Sequence, residues 1–192
     1  MSDYGTFIER DPHHATVRFE RSVDADTAET WRWLTEADRL ERWLAATKID
    51  LRVGGTVEHR FDETDDGLIH GRIQLLEAPH LIEYEWRFPG EPDSVVRFEL
   101  RAEGDRTILT LTHRLLGVGQ APGYGAGWHA HLDLLGAVIE GRSLDWDNRF
   151  GELLGGYQTT FNSPSPATTA TGTPDTEGAS SGATTTTGQT TP

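Results

Sequence analysis

The chain has 192 residues, a formal net charge of −14 and no cysteine. The lack of cysteine excludes disulfides, thiol nucleophiles and thiolate metal sites. Its 17 lysines and arginines form no cluster, so neither nucleic acid nor an anionic membrane surface is an expected partner. No apolar run reaches the roughly 18 residues that span a bilayer, and the N-terminus does not resemble a signal peptide. We therefore expect no membrane insertion and a cytoplasmic location.

Composition divides the chain near residue 161. Residues 162–192 contain no Val, Ile, Leu, Met or aromatic residue and consist almost wholly of Thr, Ser, Gly, Pro and Ala. Such a segment cannot bury enough apolar surface to offset the entropy lost on ordering, so it is predicted to be a disordered tail. Residues 1–161 are predicted to form one domain with a single core.

The first part of the domain predicts one strand followed by two helices. Ala15–Ser22 alternates between apolar and polar residues and is typical of a strand. Asp24 or Asp26 is expected to cap the next helix. A second, short helix is predicted over Glu36–Leu44, and a further strand over Thr47–Leu51.

Several strands are predicted in succession after this point. They cover Thr56–Glu63, Leu68–Leu76, His80–Phe88, Val95–Arg101 and Arg106–Leu116. Asp65-Asp66-Gly67 predicts a hairpin turn. Each strand has one apolar face, which indicates an antiparallel sheet covered on one side only. Four glutamates fall on the opposite face and are expected at a solvated exterior: Glu58, Glu83, Glu85 and Glu99.

A helix over Gly127–Ile139 is the longest helical pattern in the chain. Its apolar stripe consists of Trp128, Leu132, Leu135 and Ile139. Glycines and a proline within Gly117–Gly127 predict a flexible loop ahead of it, either a mobile lid or a plain connector. Asp145–Tyr157 predicts a shorter closing helix. The order of elements predicts an α+β fold, in which a curved antiparallel sheet of about six to seven strands grips a long C-terminal helix.

Several landmarks along residues 14–157 carry a family resemblance. They are Trp31, Arg42-Trp43, Leu51-Arg52-Val53-Gly54-Gly55, Gly71, Pro79, Tyr84-Glu85-Trp86, Arg106–His113 and Gly127-Trp128 with Leu132 and Leu135. In this order they resemble the START-like superfamily with its Bet v-like helix-grip fold. Within it the chain is similar to the family named after the activator of the heat-shock chaperone ATPase. The resemblance implies the fold more than an activity, because this fold serves lipid carriers, hormone receptors, cyclases, oxygenase domains and co-chaperones.

The resemblance also implies that the co-chaperone proper carries an additional N-terminal domain, which makes much of the chaperone contact. In this chain only residues 1–14 precede the first predicted strand. We therefore place binding of a ligand ahead of a chaperone role as the expected function.

The space between sheet and helix is expected to hold a small ligand. The predicted apolar walls are Phe61, Trp86, Phe98, Trp128, Leu132 and Leu135. The predicted polar groups that would orient the ligand are His59, Tyr84, His113 and His131. Each of these side chains has an alternative interpretation as an ordinary core residue. His129 and His131 point in nearly opposite directions on a helix and have no acidic partners, so neither a metal site nor a cofactor is predicted.

Three functions are compatible with these residues. The first is binding of a small hydrophobic ligand, with no catalysis assured. The second is a chaperone-ATPase-activator-like interaction protein. The third is a cyclase or hydrolase that uses a cavity histidine such as His113. The sequence contains no paired inward carboxylates and no nucleophile elbow, so a binding module is favoured over an enzyme.

Overall fold

The computed structural model describes residues 4–62, 64 and 67–162. The strands are β1 Thr6–Arg10, β2 His14–Val23, β3 Ala46–Ile49, β4 Thr56–Arg60, β5 Leu68–Glu77, β6 Leu81–Trp86, β7 Ser94–Glu103 and β8 Arg106–Gly117. The helices are α1 Thr27–Thr35, α2 Ala37–Leu40, α3 Ala121–Ile139 and α4 Trp146–Asn162. The predicted α+β class is confirmed. The predicted tail lies, apart from Asn162, outside the described residues, as do two residues of the predicted hairpin turn, Asp65 and Asp66.

All eight strands form a single sheet in the order β1-β2-β8-β7-β6-β5-β4-β3, and every neighbouring pair is antiparallel. The count exceeds the expected six to seven because β1 was not predicted. This strand pairs only with β2, at the edge of the sheet. Its sequence carries polar residues at Thr6, Glu9 and Arg10, and so it lacks a continuous apolar face.

Most residues of the predicted inward faces are buried, but Phe61, Leu75 and Leu115, which the alternation also places on these faces, are 40 to 45% exposed. On β8, Leu109, Leu111 and His113 are all buried, and they alternate with partly exposed residues. Glu83 on β6 corrects the expectation of a solvated exterior, because it is only 3% exposed. The side chains of Arg97 and Arg114 cover it and donate hydrogen bonds of 2.6 to 2.9 Å to its carboxylate. Two guanidinium groups on neighbouring strands therefore bury a carboxylate on the polar face of the sheet.

Of the two predicted caps of α1, Asp26 is the one observed. Its carboxylate accepts a hydrogen bond from the Glu29 backbone amide at 2.7 Å. The second helix is shorter than expected. It spans Ala37–Leu40 and is followed by a turn. The β3 strand then leads the chain to the other edge of the sheet.

The start of α3 corrects the predicted loop over Gly117–Gly127, because the helix already begins at Ala121. Pro122 lies in the first turn, where a missing backbone N–H costs no intrahelical hydrogen bond. At Gly125 a side chain has no room, since a Cβ would lie 2.5 Å from the Tyr157 ring of α4. The glycine therefore allows a close approach between two helices.

Two stripes of side chains determine where α4 packs, and the helix extends beyond the predicted Asp145–Tyr157. Leu153, Tyr157 and Phe161 recur every four residues and are buried in the core. A second stripe consists of Trp146, Phe150, Leu154 and Gln158, and it faces a cavity. The helix thus contributes one stripe to the core and the other to a possible binding site.

Candidate functional site

A cavity of about 590 Å³ lies between the first two-thirds of α3, the second stripe of α4 and the adjoining ends of β4, β5 and β6. Its size falls within the roughly 300–1,000 Å³ typical of small-molecule pockets. Most of the lining is aromatic or aliphatic. The lining residues are Leu44, Phe61, Ile69, Trp86, Phe88, Glu91, Gly119, Gln120, Pro122, Gly123, Tyr124, Gly127, Trp128, His131, Trp146, Phe150, Leu154 and Gln158.

The layer directly between the sheet and α3 is filled by protein side chains. The Trp128 ring lies 5.2 Å from the Trp86 ring and 5.8 Å from the Phe98 ring, measured between centroids. His113 lies 5.9 Å from Trp128 in the same layer. The open space is therefore displaced to the side of this interface, and α4 closes it.

Four of the predicted site residues line this cavity: Phe61, Trp86, Trp128 and His131. Four others lie in the packed layer and do not line it: His59, Tyr84, Phe98 and His113. Leu132 and Leu135 line a separate cavity, whose walls include arginines and carboxylates.

His59 is held in the core by two hydrogen bonds. The Thr47 hydroxyl donates to the Ala45 carbonyl at 2.7 Å, so it accepts from the His59 Nδ1–H at 2.8 Å. The other ring nitrogen, Nε2, then accepts from the Tyr84 hydroxyl at 3.1 Å. Burial lowers the pKa of His59 to about 3, and burial also raises the pKa of Tyr84. Both ring nitrogens are occupied by the protein, so this histidine has no position left for a ligand.

His113 is also fixed in one neutral tautomer. The Trp128 indole Nε1–H donates to its Nδ1 at 2.8 Å, which makes Nδ1 an acceptor. The Nε2–H consequently donates to the Ser94 hydroxyl at 2.9 Å, and that hydroxyl donates to the Trp86 carbonyl at 3.0 Å. Burial lowers the pKa of His113 to about 3. The network anchors the indole that forms part of the cavity wall.

His131 differs from these two because it reaches the cavity. Its Nδ1–H donates to the Trp43 carbonyl at 2.8 Å, so in the neutral ring Nε2 carries a lone pair. Among the described residues, Nε2 has no hydrogen-bond partner, and this atom is not fully buried. Burial lowers the pKa of His131 to about 4, which keeps the ring neutral near pH 7. The side chain therefore offers the cavity one hydrogen-bond acceptor.

A chain of hydrogen bonds runs along the cavity wall and ends at a carboxylate. The Trp86 Nε1–H donates to the Tyr124 hydroxyl at 3.2 Å, and this hydroxyl donates to Glu91 Oε2 at 2.7 Å. Burial and this hydrogen bond to Glu91 raise the pKa of Tyr124. The phenol therefore remains protonated and fixes the position of the Glu91 carboxylate.

Residues 24–140 match the family described as Activator of Hsp90 ATPase homolog 1-like protein, over more than half of the chain. The chain belongs to this family. The predicted resemblance is thereby confirmed. The family match begins after β2 and ends before α4, so the Activator of Hsp90 ATPase homolog 1-like region supplies β3 to β8 and α3, while one cavity wall lies beyond it. Among curated proteins, none matches the chain.

Solved structures show the same fold. CalU16 from Micromonospora echinospora is 28% identical with a TM-score of 0.68, over 78% of this chain and 90% of that chain. BPP1335 from Bordetella parapertussis is 24% identical with a TM-score of 0.63, over 82% of this chain and 92% of that chain. DynU16, of the dynemicin biosynthetic locus, is 23% identical with a TM-score of 0.59, over 65% of this chain and 47% of that chain. The last two show similarity of fold alone.

The sequence patterns did not reveal the α4 wall or the polar chain of the cavity. Trp146, Phe150 and Leu154 recur at steps of four, which is a signal that the closing helix has a second apolar face. Tyr124 lies in the segment interpreted as a loop, and Glu91 lies three residues after the end of the predicted strand His80–Phe88. No periodic pattern marked either residue as part of a site.

Contacts in both halves of α4 hold this helix against the rest of the domain. The Tyr157 hydroxyl accepts a hydrogen bond from the Gly5 backbone amide at 2.7 Å and lies 3.0 Å from His129 Nδ1. Arg149 donates to Asp133 of α3 at 2.8 Å. These contacts fix the cavity wall that lies on the opposite stripe of the same helix.

Two further site types find no support among the described residues. No group of three His, Cys, Asp or Glu side chains lies close enough to hold a metal ion. None of the described helices has the length and apolar character needed to cross a bilayer.

Proposed function

We propose that this domain binds a small, largely apolar ligand in the cavity between α3, α4 and the ends of β4, β5 and β6. The observation that supports the proposal is the cavity itself, about 590 Å³ of space with a mostly aromatic or aliphatic wall. Apolar surface moved from water into such a space gains about 25 cal/mol per Å². A bound molecule would also stabilise the folded state, because it binds that state and not the unfolded chain.

Filling the cavity from the α3 side tests this proposal. Gly127 lines the cavity, and a Cβ placed there meets no atom within 4 Å. Gly127→Leu is therefore expected to project into the space without a clash and to raise helix stability by about 0.5–1 kcal/mol. Loss of ligand binding in this variant would then not be due to unfolding.

The matched control is Gly151→Leu, at an exposed position of α4 where a Cβ also meets no atom within 4 Å. Native mass spectrometry of the protein and a melting-temperature screen against lipids, sterols and aromatic polyketides provide the readout. We expect at least one class to raise the melting temperature of the parent and of Gly151→Leu, but not of Gly127→Leu. A flat response across the screen would contradict the proposal.

A chaperone-regulating role is a second candidate, supported by the family to which the chain belongs. The loop between β3 and β4 exposes two apolar side chains, Leu51 at 42% and Val53 at 60%. Exposed apolar side chains at a loop are common at protein contacts. The test measures the chaperone ATPase rate with the parent domain and with Leu51→Asp/Val53→Asp. An ATPase rate that the parent leaves unchanged would dispose of this candidate.

A cyclase or hydrolase is a third candidate, and it depends on His131. This is the histidine of the cavity wall whose Nε2 lone pair is available to accept a proton from a ligand. In His131→Gln the conversion of a bound ligand is expected to stop while its affinity changes little. Mass analysis of each ligand recovered from the screen tests this, and recovery of unaltered ligand from the parent would contradict it.

A further inference from the structure

We infer that the ligand of this cavity is a hydrophobic cation, an aromatic or apolar amine whose ammonium group pairs with Glu91. The inference rests on the proposed function, since it names the chemical class that the same cavity accepts. Three features support it: the lining is negatively charged, the hydrogen-bond donors of its aromatic side chains are engaged or buried, and several aromatic rings face the cavity.

The lining carries a negative charge and no positive one. No lysine or arginine is among the described residues of the cavity wall, and Glu91 is its single carboxylate. His131 is neutral near pH 7, and the two lining glutamines, Gln120 and Gln158, are neutral amides. A carboxylate or phosphate ligand would therefore enter next to a like charge and find no counter-ion, at a high cost in desolvation.

The hydrogen-bond donors of the aromatic wall are already used or inaccessible. The Trp128 N–H donates to His113, the Trp86 N–H donates to Tyr124, and the Tyr124 hydroxyl donates to Glu91. The Trp146 N–H is buried in the wall, and not open to the cavity.

The carboxylate and the imidazole of the wall offer free hydrogen-bond acceptors, while the carboxamides of Gln120 and Gln158 offer both donors and acceptors. The Glu91 carboxylate accepts from Tyr124 through Oε2 only, and His131 Nε2 has a free lone pair. A ligand that brings N–H donors and a positive charge complements both groups.

Glu91 has no cationic partner among the described residues, in contrast to Glu83 and Glu85 of the neighbouring strand. Glu83 is paired with two arginines, and Glu85 is paired with Arg87 at 3.0 Å. Within the described part of the chain, the neutral Tyr124 hydroxyl is the only group hydrogen-bonded to the Glu91 carboxylate. A fixed carboxylate beside an apolar cavity, without a counter-ion of its own, is suited to the counter-charge of a ligand.

The aromatic faces provide a second source of attraction for a cation. Trp86, Tyr124, Trp128 and Trp146 line the cavity, and Phe150 stacks on Trp146 at 5.1 Å and 11°. Electron-rich ring faces attract a cation, and the attraction is stronger where water is excluded. The same faces hold the apolar body of the ligand by burial of surface.

The experiment compares three ligands that share one skeleton and differ in charge: 1-pyrenemethylamine, 1-pyrenemethanol and 1-pyrenecarboxylate. Titrations followed by tryptophan quenching would give each dissociation constant near pH 7. We expect the amine to bind at least tenfold more tightly than the alcohol, and the carboxylate to bind most weakly. Glu91→Gln should reduce the affinity for the amine to that for the alcohol, while the affinity for the alcohol stays the same.

Asp93→Asn is the matched control, because Asp93 lies in the same loop, is 73% exposed and does not line the cavity. It removes one negative charge from the protein, as Glu91→Gln does, and is expected to leave the preference for the amine unchanged. An equal loss in both variants would show general attraction to an acidic protein and would overturn the inference.

The remaining outcomes separate this inference from the proposed function. If the alcohol or the carboxylate binds as tightly as the amine, and Gly127→Leu abolishes that binding, the cavity binds ligands but the preference for a cation is refuted. If none of the three binds, both the inference and the proposed function fail for this skeleton. Amine binding that survives both Glu91→Gln and Gly127→Leu occurs elsewhere on the protein and also refutes the inference.

Discussion

Acidification from about pH 7.5 to about pH 5.5 is expected to lower the free energy of unfolding by roughly 4 kcal/mol. The cause is the lowered pKa of three histidines, His59, His113 and His131. Burial lowers the pKa of His59 and His113 to about 3 and that of His131 to about 4. In the unfolded chain an imidazole has its ordinary pKa of about 6.5.

The sign follows from the order of these pKa values. Between about 6.5 and the lowered values, the unfolded chain binds protons that the folded protein does not. The stability is therefore complete above about pH 6.5 and falls as the pH decreases through this window. Each histidine contributes a loss of about 1.4 kcal/mol at one unit below 6.5, so three contribute roughly 4 kcal/mol. A typical domain has only about 5–15 kcal/mol to lose.

The paired carboxylate of Glu83 adds to this loss of stability only at lower pH. Hydrogen bonds from Arg114, the largest cause, and from Arg97 lower the pKa of Glu83. The stability that this group contributes is lost only as the pH falls below the ordinary glutamate pKa near 4.3. The histidines consequently dominate the pH dependence above about pH 5.

Urea unfolding at several pH values, followed by near-ultraviolet circular dichroism, measures the slope. Replacing one buried histidine, as in His59→Gln, should reduce the slope by about one third, whatever its effect on stability at neutral pH. His70→Gln, at an exposed position, is the control and should leave the slope unchanged. Nuclear magnetic resonance titration of the imidazole protons is decisive. The reasoning is refuted if all histidines of the folded protein titrate near 6.5, or if stability is constant across this range.

Three substitutions test particular contacts through their effect on the free energy of unfolding by urea. Gly125→Ala should lower it by about 1–3 kcal/mol, because the new Cβ meets the Tyr157 ring, whereas Gly151→Ala should raise it by about 0.5–1 kcal/mol. An equal effect of the two would contradict the close helix approach. Glu83→Ala should lower it by about 2 kcal/mol by leaving two arginines without their carboxylate, and an unchanged value would disprove that role. Leu115→Asn should raise the free energy of unfolding by about 0.5–1 kcal/mol, because Leu115 is 45% exposed and has a φ of 63°, which asparagine adopts more readily. A lower free energy of unfolding in this variant would refute the backbone strain.

The strands could be predicted because each carries its own alternation. On β8, a polar residue follows almost every inward one, and this two-residue period identifies both the element and its buried face. The start of α3 could not be predicted in this way, because glycines and a proline ordinarily indicate a loop. Gly125 is present for a different reason, the approach of Tyr157, which is far away in the sequence. A contact between two helices overrides the local propensity.

The site was predictable only in part for a related reason. A periodic pattern shows which side chains point inward, but not whether they meet one another or an open space. His113 and Trp128 both point inward, yet the former is enclosed by hydrogen bonds while the latter borders the cavity. The partners that enclose His113, Ser94 of β7 and Trp128 of α3, come from separate segments of the chain, and a local pattern does not show that they meet.

The position of α4 has a practical consequence for anyone who shortens this protein. Cutting the chain at the limits of the family match, residues 24–140, would delete β1 and β2 together with the whole of α4. The edge of β8 would lose its neighbour, and the aromatic stripe of α4 would no longer cover the pocket. The truncated protein would expose an apolar surface to water and would be prone to self-association. Binding assays on it would therefore measure nonspecific association instead of specific ligand binding.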